Sequence, residues 1–113
     1  MINQVLVAGR LAADPRIHEG PGAPWVELEL DVERPPRDWS PSQTEQSRVR
    51  VSAFGERNVS NLTRYLRQGR SVLVHGFLRA GEGGLRVVAE RCEFMEDGLV
   101  ARIPEGIRRV AAA

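Results

Sequence analysis

The sequence predicts an all-β, mainly antiparallel domain: a five-stranded Greek-key barrel with one helix between its third and fourth strands. Three observations carry this. Apolar residues recur with period two over most of the chain, turn residues separate the alternating runs, and the period becomes helical only once. At 113 residues the chain is long enough for one such domain to bury its own core.

Residues 2–11 (INQVLVAGRL) alternate aliphatics and reach Gly9-Arg10, a first strand with a kink or bulge at the glycine. A turn-rich stretch follows, with Asp14-Pro15 and then the run from Glu19 to Pro24. Residues 25–33 (WVELELDVE) alternate strictly. Val26, Leu28, Leu30 and Val32 share one side; Glu27, Glu29, Asp31 and Glu33 share the other.

The next stretch, RPPRDWSPSQTEQS, is a long polar connection with three prolines, a length usually functional or disordered. Residues 48–54 (RVRVSAF) give a third strand, with Val49, Val51 and Ala53 inward and Arg48, Arg50, Ser52 and Phe54 outward. In NVSNLTRYLRQG the apolar spacing turns helical through Val59, Leu62 and Leu66, with Tyr65 beside them. Asn58 is the expected N-cap, Arg64 and Arg67 suit the last turn, and Gly69 terminates the helix. Residues 71–79 (SVLVHGFLR) form a fourth strand, Ala80–Gly84 a glycine hairpin, and 85–95 (LRVVAERCEFM) a fifth.

This β-β-β-α-β-β order is that of the oligonucleotide/oligosaccharide-binding (OB) fold, in which closure of the sheet removes exposed edges. The expected domain is 1–96. Residues 97–113 form a C-terminal extension: Leu99–Ile103 suits an extra strand or an oligomer contact, and the rest reads as frayed.

Composition narrows the function. The formal net charge is +1, so a nucleic-acid site must come from local arrangement rather than a global positive field. All basic residues are arginine. A GC-rich genome explains this; so does a use for guanidinium planes, which stack on bases and fork onto phosphates. One cysteine, Cys92, excludes an internal disulfide and reads as a small buried hydrophobe. His18 and His75 have no metal-ligand cluster around them, and Gly81-Glu82-Gly83-Gly84 has no following helix to make a phosphate loop. No nucleophile–base or paired-carboxylate arrangement emerges, so the expectation is a non-enzyme without cofactors. With neither a membrane span nor a signal peptide in view, the expected location is cytoplasmic.

Several segments resemble the bacterial single-stranded DNA-binding protein family. MINQVLVAGRLAADPRI is similar to its opening strand and Asp-Pro turn. RVRVSAFGERNVSNLTRYLRQGRSVLVHGFLR is similar to its third strand, Ala-Phe-Gly corner, helix and fourth strand. The resemblance covers most of residues 1–96. It implies sequence-independent single-stranded DNA binding in replication, repair or recombination, by a homo-oligomer, with a tetramer favoured over a dimer. Phe54 matches a family aromatic on which bases stack, and Trp39 lies near another. The chain also departs from the pattern. Arg48 stands where the family commonly has tryptophan, the hairpin after the fourth strand is cut to Ala80–Gly84, and IRRVAAA replaces the acidic tail that recruits partners. These departures imply weaker or shorter-footprint binding and no recruitment of partner proteins through an acidic tip.

The expected DNA-binding set is Phe54, Arg48 and Arg50 on one strand face. Arg34, Arg37 and Trp39 in the loop between the second and third strands, Phe77 and Arg79 on the fourth strand, and Arg10 on the first complete it. Each has a plainer reading. If the second and third strands pair, Glu27, Glu29 and Asp31 lie across from Arg48 and Arg50 and ion pairs absorb both rows. The face of Phe77 and Arg79 suits DNA and a subunit interface equally. Trp25, on the acidic side of its strand, suits an oligomer contact or loop cover. Two further functions stay open: a primosome accessory resembling primosomal replication protein N, on the strength of the short hairpin, and a barrel kept only for protein interaction.

Overall fold

A computed structural model of the chain describes residues 1–34 and 45–95. The elements are β1 (Val5–Leu11), β2 (Arg16–His18), β3 (Trp25–Arg34), β4 (Glu45–Phe54), α1 (Glu56–Tyr65), β5 (Ser71–Gly81) and β6 (Gly84–Met95). The expected order is present, with one addition. Within the turn-rich stretch, three residues extend far enough to pair with β3, Arg16 opposite Glu27 and His18 opposite Trp25.

The sheet runs β1-β5-β6-β4-β3-β2, and β1 also pairs with β3, which closes a five-stranded barrel with β2 outside the ring. Closure rests on two short ladders. Arg10 and Leu11 of β1 pair with Asp31 and Leu30, and β4 meets β6 in parallel at Val51–Val87 and Ser52–Val88. This is the OB barrel, with its single helix between β4 and β5.

Strict alternation in β3 builds the core. Val26, Leu28 and Leu30 are fully buried and join Leu11, Val51, Ala53, Val72, Val74 and Val87. Removing each aliphatic side chain of this size from water stabilises by roughly 1.5–3 kcal/mol. Leu62 and Leu66, four apart on the helical turn, pack into the same cluster.

Two glycines allow close strand crossings. A Cβ on Gly9 would lie 2.5 Å from the Asp31 carbonyl oxygen, at the point where β1 passes from β5 to β3. A Cβ on Gly76 would lie 1.9 Å from the Val88 carbonyl oxygen, beside the register shift at His75/Gly76.

Some boundaries differ from expectation. The helix starts at Glu56 and Gly55 is its N-cap, so Asn58 lies inside the first turn. Its side-chain amide instead donates to the Phe54 carbonyl at 2.8 Å. Gly55 is held by its own N–H to the Pro24 carbonyl, which ties the helix start to the start of β3. Arg67 and Gly69 follow the helix in a turn closed by the Arg70 N–H on the Arg67 carbonyl. The third strand of the barrel begins at Glu45, since the long β3–β4 ladder pairs every residue to Arg34–Glu45. Arg37, Trp39 and the extension at 97–113 lie outside the described residues.

Candidate nucleic-acid interface

The outward side of the β2-β3-β4-β6-β5 surface carries the candidate site. Its first row is made of direct cross-strand partners: His18 opposite Trp25, and Trp25 opposite Phe54. The His18 and Trp25 rings are stacked, with centroids 4.1 Å apart and planes within 9°. Trp25 and Phe54 are 5.6 Å apart and tilted by 31°.

The next row runs Arg16, Glu27, Ser52, Val88, Phe77. Ser52 and Val88 are buried although they face outward, so they form a floor beneath the larger side chains. Arginines lie over that floor. The Arg79 guanidinium sits 5.9 Å from the Phe54 ring and 5.4 Å from the Phe77 ring, which joins the two phenylalanines. Arg86 sits 5.7 Å from the Trp25 ring and donates to the Ser52 hydroxyl at 3.2 Å. A guanidinium held near a ring face keeps N–H groups available for phosphate oxygens.

Charge divides this surface into two ends. Toward the tip of the β3–β4 ladder, acids and arginines satisfy one another. Arg48 donates to Asp31 at 3.1 Å and lies 3.8 Å from Glu29, Arg16 lies 3.9 Å from Glu29, and Arg34 pairs with Glu45 at 2.9 Å. At the aromatic end, none of Arg50, Arg79 and Arg86 has a carboxylate within 4 Å among the described residues. Arg50 stands opposite Glu29 in register, yet its guanidinium turns to the Gly83 carbonyl at 3.0 Å and ties down the β5–β6 hairpin.

The expected residues therefore separate. Phe54, Phe77, Arg79 and Arg50 come together at one end. Arg48, Arg34 and Arg10 stand at the other, where Asp31, the cross-strand partner of both Arg10 and Arg48, is about 20 Å along the strand from Trp25. The ion pairing weighed for Arg48 and Arg50 is present for Arg48 alone. Trp25, His18 and Arg86 join the aromatic end without having been placed there by the sequence. One signal was available for Trp25: the register that sets Asp31 opposite Arg48 also sets Trp25 opposite Phe54.

His75 precedes Phe77 by two residues on β5, beside a register shift in which β6 carries the extra residue. Its Nε2 lies 3.9 Å from Glu93, which is itself bonded to Arg91. Cys92 packs against the core, and burial pushes its thiol up to about 11. Among the described residues no group of His, Cys, Asp and Glu could hold a metal ion, and no helix is long and apolar enough to cross a membrane.

The model of the single-strand binding protein family matches residues 2–83. No curated protein sequence matches the chain. Among solved structures, the chain superposes with a TM-score of 0.71 on one described as the Plasmodium falciparum SSB complex with ssDNA. The two are 19% identical, and the match covers 85% of this chain and 96% of that one. At that identity the likeness speaks for the fold.

Proposed function

Because the chain belongs to the single-strand binding protein family, a family of binding proteins rather than enzymes, we propose that it binds single-stranded DNA through the aromatic end of this surface. One observation carries the placement. Trp25, Phe54 and Phe77 are linked by ring contacts and by Arg79, and Arg79 and Arg86 beside them have no carboxylate within 4 Å among the described residues. Rings of this kind stack on bases of any sequence, and the arginines meet the phosphates. Stacking on ring faces and contact with phosphates do not depend on base identity, so the binding is sequence-independent.

In this reading Phe54 is the central platform, because the residue keeps 44% exposure while its neighbours hold it in place. Phe77 and Arg79 continue the track, and Arg50 fixes the hairpin beside it. Arg48 and Arg34 contribute little, since their charge is already matched. Arg10, beside Asp31, lies off the track.

The chain works in DNA replication, repair or recombination as a cytoplasmic homo-oligomer, a tetramer favoured over a dimer. Tyr65 and Phe94, exposed and 5.5 Å apart on a different part of the barrel, offer apolar surface for such assembly. Mass in solution distinguishes the two states.

The experiment for binding is a titration with oligo-dT at two salt concentrations. Tryptophan quenching at low salt and steeply weaker binding at high salt are expected. Absence of quenching and of any mobility shift at low salt would overturn the proposal.

A further inference from the structure

We infer that the bound strand crosses from Phe54 over β3 to β2 and ends its stack on His18, so that the Trp25–His18 pair is a terminal nucleobase subsite. This rests on the DNA-binding reading above and adds the direction and end of the path.

The geometry carries it in three steps. His18, Trp25 and Phe54 form a single row perpendicular to the strands, with each ring against the next. A strand stacked on Phe54 therefore meets aromatic surface sideways toward β2. Along β4 toward its start it meets Arg50 and Arg48 instead, with no ring among them. Next, His18 is built as a platform. Trp25 covers one side of its imidazole at 4.1 Å, and Glu27 Oε1 holds its Nε2 edge at 3.0 Å, which fixes the ring plane. Its side chain still keeps 36% exposure, and among the described residues no second ring contacts it. That open side accepts a planar base.

Charge then selects this path over its alternative. Toward the ladder tip, Glu29, Asp31 and Glu45 face Arg16, Arg48 and Arg34, and a polyanion gains nothing there. Beside the aromatic row stands Glu27 in the next row, whose side chain is 12% exposed and bonded to His18. Arg86, reaching over Trp25, supplies the cation for the phosphate at this step.

The test uses the full chain with Trp39→Phe, which leaves Trp25 as its single tryptophan. With dT oligomers of increasing length, Trp25 emission should quench along the same isotherm as the mobility shift. His18→Ala, at an exposed side chain whose loss leaves the core intact, should weaken binding of long oligomers about 5-fold or more. The shortest oligomer that binds should be unaffected, since it occupies the central rings alone. Normal mobility shifts with unchanged Trp25 emission, and with His18→Ala affinity equal to wild type at every length, would overturn the subsite and leave DNA binding standing. No shift by any form of the chain would overturn the binding itself.

Discussion

Trp25 and Phe54 are direct cross-strand partners, the first residue of β3 opposite the last of β4, with ring centroids 5.6 Å apart. The Gly55 N–H bonds the carbonyl of Pro24, so the backbone on both sides of this pair is pinned where the helix begins. The pair is thus a rigid platform at a strand end, and a ring held in this way loses little freedom when a base lands on it.

Phe54→Ala should test that platform. The residue lies outside the core and 44% exposed, so the melting temperature should fall by only a few degrees. Affinity for oligo-dT should fall roughly 5- to 100-fold, the range of one lost base–aromatic stack. Fluorescence titration gives the second number and a circular dichroism melt the first.

Gly76→Ala should act in the opposite way, on the fold. Its Cβ would enter the space of the Val88 carbonyl, which belongs to backbone and cannot swing aside. The expected loss is about 2–3 kcal/mol, a fall in melting temperature of about 10 °C or more. Val88 lies in the floor under Phe77 and Arg79, so DNA affinity should fall too, and lowering the temperature should restore part of it.

Much of this was legible in the residues. Alternation in 25–33 gave the inward row of β3, and the one change of period located the helix, because both patterns reflect a buried face that water exclusion enforces. Phe54 was placed outward by parity alone. What was hidden depended on register and on backbone. Trp25 was legible only as a residue on an acidic side until pairing set it against Phe54. His18 needed a three-residue strand that no alternating run announces. The helix start was missed because Asn58 has the chemistry of an N-cap, whereas Gly55 caps through backbone geometry and a carbonyl of Pro24. Arg48 and Arg50 look alike in sequence. Their different fates follow from the hairpin carbonyl of Gly83, more than thirty residues away.

The thiol of Cys92 offers a check on packing beneath β6. Burial raises its pKa from 9.0 to about 11. Below pH 9 both folded and unfolded chains hold the proton and no pH dependence arises. Between about 9 and 11 the unfolded chain releases a proton that the native state keeps, so stability falls as pH rises, by roughly 2–3 kcal/mol over the full interval. Urea midpoints of wild type and Cys92→Ala, measured at pH 8 and pH 10.5, should differ accordingly: the wild type loses the more on moving to high pH.

Two arginines on the same outward side should give different answers in salt. Arg79 bridges the Phe54 and Phe77 rings and has no carboxylate within 4 Å among the described residues, so its charge is available to a phosphate. Arg48 is held by Asp31 and Glu29 at the far end. A lost phosphate contact lowers the slope of log affinity against log salt by about 0.7 for a single strand. Arg79→Ala should show that loss together with weaker binding. Arg48→Ala should leave the slope unchanged within error, because the cation it removes was already neutralised and released no counterion on binding. Affinity for oligo-dT at four or five salt concentrations decides it, and equal slopes for the two variants would show that the strand tracks the whole β4 face rather than its aromatic end.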